Sequence, residues 1–220
     1  MLPRILEPEV MDTPEDARDY DAMDHSAVNR AFVADFLLAF PNASGTILDV
    51  GTGTALIPIE LARQSPHVQI VAIDLAEEML TLARNNVVAA GFSERIRIER
   101  ANGRKLDYAT VRFAAIISNS IVHHIPEPFD CLAEMVRVCA TGGRIFVRDL
   151  FRPNTLEELQ HLVETYAGSA NAHQRQLFSQ SLHAALTLEE VQALVGRIGF
   201  AKECVQRTSD RHWTFSELKA

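Results

Sequence analysis

Little in this chain favours a secreted, membrane-spanning or nucleic-acid-binding protein. Three cysteines occur among 220 residues, Cys131, Cys139 and Cys204, an odd number with no C-x-x-C pair. That spacing excludes a disulfide framework and implies reduced structural thiols, with a cytoplasmic location expected. No apolar run approaches the ~20 residues that a membrane-spanning helix needs. The opening M-L-P-R-I-L-E-P lacks the apolar stretch of a signal peptide. Positive charge is scarce: 21 Lys and Arg against 29 Asp and Glu leave a formal charge of −8. With a pI near 5.5 there is no basic footprint for a phosphate backbone, so no nucleic-acid partner is expected. The chain has no G-x-S-x-G nucleophile turn, no G-K-[ST] phosphate loop, no internal repeat and no metal-ligand cluster at recognisable spacing.

What is present centres on residues 46–62, T-I-L-D-V-G-T-G-T-A-L-I-P-I-E-L-A. An apolar run (47–50) meets the small-residue turn Gly51-Thr52-Gly53-Thr54-Ala55, and Leu56, Ile59, Leu61 and Ala62 then recur at helical spacing. Strand, glycine turn and helix in that order form a nucleotide-type ligand site at the carboxyl end of a parallel strand. Glycine at 51 and 53 lets a ligand approach the main chain closely. Asp49 precedes the turn, and Asp74 ends the next apolar strand (68–73), placed to accept hydrogen bonds from both hydroxyls of a ribose.

The details argue against a dinucleotide. The third glycine of G-x-G-x-x-G is replaced by Leu56, and the small residue falls one position earlier, at Ala55. A carboxylate at Asp49 would repel a pyrophosphate but suits a ligand end that carries an ammonium group. Asp49-x-Gly51-x-Gly53-x-Ala55 therefore resembles motif I of the class I S-adenosylmethionine-dependent methyltransferases, with Ala55 where a third glycine is frequent.

That resemblance implies an α/β, doubly wound, Rossmann-like fold. Its seven-stranded sheet is mostly parallel, with a C-terminal antiparallel hairpin and helices on both faces. It also implies S-adenosyl-L-methionine as cofactor and S-adenosyl-L-homocysteine as product. On matching positions, Asp49, Gly51, Thr52 and Gly53 form the cofactor turn, Asp74 meets the ribose, Leu75 offers an apolar contact to the adenine, and Met79 is a further cofactor-side candidate. Ala101-Asn102-Gly103 stands where the family commonly has Gly-Asp-Ala. Asn102 can accept the adenine amino hydrogen through its amide oxygen, without charge assistance.

Ser118-Asn119-Ser120-Ile121-Val122-His123-His124-Ile125-Pro126 resembles motif IV of the small-molecule members and lacks the Pro-Pro of the amino-methylating DNA and protein enzymes. Ser118 and Asn119 are thus cofactor-side candidates. His123 and His124 are candidate bases towards a hydroxyl, because imidazole titrates near neutrality. Tyr20, with Met23, is a candidate in an N-terminal lid.

The remaining elements follow from periodicity and caps. One helix starts at Thr13-Pro14 and a second runs over 26–40 with Ser26 as its cap; a further helix covers 76–90 and stops at Gly91. Strands are expected at 70–75, 96–99, 113–118 and 144–150. A helix over 128–140 is expected to stop at Thr141-Gly142-Gly143. Thr155 and Thr187 each open a helix with a capping box, Gly168-Ser169-Ala170-Asn171 separates two helices, and strands at 202–207 and 211–215 close the sheet, with Trp213 structural.

Residues 1–44 then form an N-terminal helical lid, 45–150 the cofactor-binding core, 151–186 a helical insertion over the acceptor pocket, and 187–220 the last helix and closing hairpin. Arg148 and Arg152 read either as solvated strand-end charges or as holders of an acidic substrate. Two further readings stay open: a nicotinamide-dependent oxidoreductase, disfavoured by Asp49 and Leu56, and a non-catalytic cofactor-binding domain. The acceptor is expected to be a small molecule whose reacting atom is O, N, S or C, and the protein a monomer or homodimer.

Overall fold

The structure is a computed structural model that describes residues 2–7, 17–18, 21 and 25–220. The elements are α1 (Ser26–Ala39), β1 (Gly45–Val50), α2 (Leu56–Gln64), β2 (Val68–Asp74), α3 (Glu77–Ala89), β3 (Ile96–Arg100) and β4 (Phe113–Asn119). A 3₁₀ turn (Val122–His124), α4 (Phe129–Val138), β5 (Cys139–Leu150), α5 (Leu156–Ala167), α6 (Ala172–Ala184) and α7 (Leu188–Arg197) follow. A second 3₁₀ turn (Lys202–Cys204), β6 (Val205–Arg207) and β7 (His212–Leu218) close the chain.

The sheet order is β3-β2-β1-β4-β5-β7-β6. β1 to β5 pair in parallel, and β7 is antiparallel to both β5 and β6. The strand order reverses between β1 and β4. A crevice opens at such a switch point beyond the carboxyl ends of the strands. The expected fold class holds.

Alternate side chains of the strands feed two cores. Ile47, Ile70, Ala72, Ala115, Ile117 and Phe146 pack with Phe32, Val33 and Phe36 of α1 and with Ile59, Leu61 and Ala83 of α2 and α3. Leu48, Val50, Val71, Ile73 and Ile116 pack on the other face with Leu132 and Met135 of α4, Val191 and Val195 of α7, and Trp213. Each fully buried apolar side chain of this size contributes roughly 1.5–3 kcal/mol. Both faces are covered, so the strands read as continuous apolar runs rather than alternating ones. Trp213 is fully buried in this second core.

Several local expectations are corrected. Thr141-Gly142-Gly143 is no helix stop: α4 ends at Val138 and these residues lie within β5. Gly142 takes φ +75° and donates to the Lys219 carbonyl at 2.7 Å. A Cβ on Gly143 would lie 2.8 Å from the carbonyl oxygens of Ala114 and Ala140. The glycines serve the register shift between Phe113 and Ala115: a side chain on Gly143 would strike backbone, whereas Gly142 has open space and is favoured by its positive φ. The cap of α1 falls on His25, with Ser26 already helical. Thr155 caps Glu158, but Glu158 reaches back to the amide of Asn154 rather than Thr155, so only half a capping box forms.

Thr187 and Asn171 each form the full box. The 202–207 strand shortens to Val205–Arg207, and β7 extends to Leu218 because Ser216, Glu217 and Leu218 continue its pairing with β5. Gly91 closes α3 as expected, at φ +76°. The helix start at Thr13-Pro14 and the lid candidates Tyr20 and Met23 lie outside the described residues.

Candidate active site

The β1–α2 turn is held by β2. The amides of Gly51 and Thr52 both donate to the Ile73 carbonyl at 2.9 Å. Gly53 N donates to Asp74 Oδ2 at 2.8 Å, and Ala76 N to Asp74 Oδ1 at 3.0 Å. Gly51, Gly53 and Ala55 all lie at positive φ, 76°, 54° and 62°. The first two are glycines for that reason. Ala55 holds the left-handed conformation at a cost of roughly 1–2 kcal/mol.

A cavity of about 390 Å³ opens on this turn, within the size range of small-molecule sites. One end is lined by Gly51, Gly53, Asp74, Leu75, Met79, Asn102 and Gly103; the other by Asn119, Ser120, Ile121, His124, Ile125, Pro126 and Glu7. Leu75 presents an exposed apolar side chain to the first end. Ile121 sits directly on Gly51, where a Cβ would come within 2.4 Å of its Cδ1. A larger hollow of about 640 Å³, beside Thr46, Gln69, Ser93 and Arg95, lies at the amino ends of the strands. It holds none of the turn residues, and in open α/β sheets ligands bind at the carboxyl ends.

The sequence-predicted residues divide. Asp74, Leu75, Met79, Asn102, Gly103, Asn119 and His124 reach the cavity wall with the two glycines, whereas Asp49, Thr52, Ser118 and His123 lie behind it. Asp49 is almost wholly buried, and burial, reinforced by the nearby Asp74 charge, pushes its carboxyl up to about 7. Its Oδ2 has no partner, and neither does Asn119 Oδ1. Ser118 Oγ donates to the Val50 carbonyl at 2.8 Å and so locks β4 to β1. Asn102 Oδ1 accepts from the Arg104 amide at 3.0 Å. Ala17 packs with Ala76 and Met79, and Asn86 donates to Asp21 at 3.0 Å and to the Thr54 carbonyl at 3.1 Å. Ala17 and Asp21 therefore dock beside the glycine turn.

The two histidines are treated differently. His123 is buried, with Nδ1 2.6 Å from Asp149 Oδ1 and its amide 3.1 Å from Asp149 Oδ2. Burial opposes charge on this ring, but the Asp149 charge and hydrogen bond prevail and raise its pKa. The Asp149 carboxyl, which burial alone would raise, is held below its usual value by His123. His124 Nδ1 hydrogen-bonds Glu7 Oε2, and Glu7 Oε1 accepts from Ser181 Oγ at 2.6 Å. Burial would raise the Glu7 carboxyl, but its bond to His124 holds it low.

Glu7 and Asp149, which pair with the two histidines, are side chains that sequence reasoning did not single out as partners. Arg148 and Arg152 are neither solvated nor free for a substrate. Arg148 is buried against Thr214 Oγ1 (2.9 Å) and Asp35 (2.7 Å), and Arg152 against the Ala185 carbonyl (2.9 Å) and Glu190 (2.8 Å).

Comparison with known proteins agrees with this geometry. The methyltransferase domain family matches residues 41–202, well over half of the chain. A phosphatidylethanolamine N-methyltransferase of Cereibacter sphaeroides is 33% identical over 107 residues, covering 49% of this chain and 51% of that protein. A demethylmenaquinone methyltransferase of Bacteroides fragilis is 27% identical over 165 residues, covering 71% and 67%.

Among solved structures, a putative S-adenosyl-L-methionine-dependent methyltransferase from Methanococcus maripaludis superposes with a TM-score of 0.73 at 18% identity, over 98% of each chain. The chain spans about half the length of the first curated relatives it matches. The chain belongs to the class I S-adenosylmethionine-dependent methyltransferase family. No helix among the described residues is long and apolar enough to cross a membrane.

Proposed function

We propose that this chain transfers the methyl group of S-adenosylmethionine to a small-molecule acceptor. The observation that carries the reading is the single cavity joining the Gly51–Gly53 turn and Asp74 to the Asn119–Pro126 wall. Asp74 uses one lone pair of each oxygen to hold the turn. A carboxylate has about four acceptor positions, which leaves room for both ribose hydroxyls. Asp49, buried with an orphaned oxygen, is the carboxyl behind the turn that an approaching ammonium tail would hold in its ionised form. Leu75 and Met79 give the adenine an apolar contact, and Asn102 and Asn119 retain acceptor capacity at the cavity.

When bound, the cofactor supplies an electrophilic methyl on a sulfonium whose leaving group is neutral. The protein then has mainly to align acceptor and methyl, an effect worth up to ~7–11 kcal/mol. His124, on the wall and backed by Glu7, is the imidazole placed to take a proton from an acceptor that must lose one. His123, behind the wall, positions that turn through Asp149. At the acceptor end Glu7, held by Ser181 of α6, walls the cavity and helps to exclude water. The named relatives include a UbiE C-methyltransferase and an N-methyltransferase, so their names leave the acceptor atom open. The free cysteines fit a cytoplasmic setting, and the charge of −8 disfavours a nucleic-acid acceptor.

The test is a thermal-shift titration with S-adenosylmethionine, S-adenosylhomocysteine and NAD, on the native chain and on Asp74→Ala. Ligand at a hundred times its Kd stabilises by ~2.7 kcal/mol, roughly 5–10 °C at this size. The expected result is a shift with the two S-adenosyl compounds only, lost in Asp74→Ala. A shift with NAD alone overturns the reading.

A further inference from the structure

At the acceptor end of the cavity, three chemistry-bearing side chains converge from distant parts of the sequence. His123 and His124 lie on the 3₁₀ turn after β4, and Glu7 arrives on an N-terminal strap. The strap is fixed in place. The Arg4 guanidinium donates to the carbonyls of Pro126 and Ile125 (both 2.9 Å), His123 (3.2 Å) and Ala184 (2.7 Å), and Ile5 N donates to the His183 carbonyl at 3.1 Å. Glu7 is anchored in turn by Ser181 of α6. One ligand atom from each of Glu7, His123 and His124 lies within 4.8 Å of the other two. Donors at ~2.0–2.2 Å from one first-row ion lie ~3–4 Å apart, so small side-chain rotations close the set.

A second observation points to a ligand. The Nδ1 atom of His123 is engaged by Asp149, which leaves Nε2 as its free ring nitrogen; that atom is buried and has no partner. A buried polar nitrogen without a partner is uncommon in a native fold. A carboxylate on one ring nitrogen that directs the other inward is the outer-shell arrangement of metal-binding histidines.

We propose that Glu7, His123 and His124 form a binding site for a first-row divalent metal ion, oriented by Asp149 behind His123. Two imidazoles and one carboxylate suit Zn²⁺, Co²⁺, Ni²⁺ or Fe²⁺ better than Mg²⁺ or Ca²⁺, which favour all-oxygen shells. Glu7 and His124 line the cavity, so the open coordination positions face the acceptor. An acceptor hydroxyl bound there has its pKa lowered by the cation: its O–H bond breaks, the proton leaves to solvent, and the oxygen anion stays on the ion for methylation. Only this use of the ion rests on the methyltransferase reading; its binding does not.

The test is a Co²⁺ titration of the EDTA-stripped full chain without S-adenosylmethionine, followed by visible absorption, then Zn²⁺ competition. The expected result is one equivalent of Co²⁺ with ligand-field bands, displaced by one equivalent of Zn²⁺. Glu7→Gln, which keeps the Ser181 contact, and His124→Ala each weaken binding at least ~10-fold, and Asp149→Asn weakens it ~10–100-fold. His67→Ala, at an exposed histidine, has no effect. The proposal is overturned by the lack of a saturable band. It is equally overturned by a band that survives Glu7→Gln and His124→Ala in protein shown to be folded by circular dichroism. The response of the same samples to S-adenosylmethionine is read separately, so a failed cofactor shift and a failed metal titration remain distinguishable.

Discussion

The two ends of the cavity are built by different means. The cofactor end uses residues close in sequence: 49–55 on one turn, 74–79 on the next, and 102–103 after β3. Its geometry follows from strand ends, backbone amides, the two glycines at positive φ and the Asp74 carboxylate, all local to two turns. The acceptor end joins Glu7, the 119–126 loop, Asp149 and Ser181, drawn from the strap, two strand ends and α6. Nothing but the packed fold brings those groups together. The cofactor end thus depends on a local device, and the acceptor end on long-range contacts with the peripheral segments.

Five substitutions separate the two ends. The largest effect is expected at Gly51→Val. A side chain there must adopt φ near +76° and also displace Ile121, so stability should fall by roughly 2–5 kcal/mol in a denaturant melt. Adding Ile121→Ala should relieve only the steric part. If the double variant regains full stability, the backbone argument is wrong.

Asp74→Ala should raise the Kd for S-adenosylhomocysteine by about 10²–10⁴-fold in calorimetry, as two hydrogen bonds to a charged acceptor at ~1.5–3 kcal/mol each are lost. Acceptor-side metal binding should stay unchanged. Loss of both would show that the two ends are one cooperative unit.

Asp49→Asn tests the buried carboxyl through pH. Its folded pKa, about 7, exceeds the reference value of 3.8. The stability it confers is therefore fully present below pH 3.8 and is lost as pH rises through 7. The asparagine variant should thus gain stability over the native chain as pH goes from 5 to 8, by roughly 1–4 kcal/mol, while binding the cofactor more weakly. A variant melting in parallel with the native chain across that range would show Asp49 to be ionised throughout.

Arg4→Ala should release the strap, lowering stability by ~1–2 kcal/mol for half-buried bonds to carbonyls. It should raise the acceptor KM and leave the cofactor Kd alone. A changed cofactor Kd would link strap and turn. Ala55→Gly should be the mildest. Relief of the left-handed alanine is offset by the greater freedom of glycine in the unfolded chain, for a net change from zero to about +1 kcal/mol by thermal melt.

The fold was readable wherever local chemistry decides. The apolar strands, Gly91, Thr187, and the order of elements through to the closing hairpin all appear as the sequence suggests. Reading failed where one residue type has two uses. Gly142 and Gly143 look like a helix stop, but they serve a strand irregularity whose partner, Ala114, lies in another strand. Arg148 and Arg152 look solvated because a charge at a strand end usually is; their partners Asp35 and Glu190 come from helices α1 and α7. His123 and His124 are equivalent in sequence, yet one ring is turned inward onto Asp149 and the other sits on the cavity wall with Glu7.

By itself, then, the sequence determined the sheet, the glycine turn, the acid that ends β2 and the family they define. Each depends on periodicity, backbone freedom or a fixed offset along the chain. Tertiary structure alone decided that Asp49 lies behind the turn while Asp74 lines the cavity, that two arginines are structural, and that Glu7 closes the acceptor wall. Burial and pairing between segments 33 to 117 residues apart are properties of packing, and no local pattern encodes them.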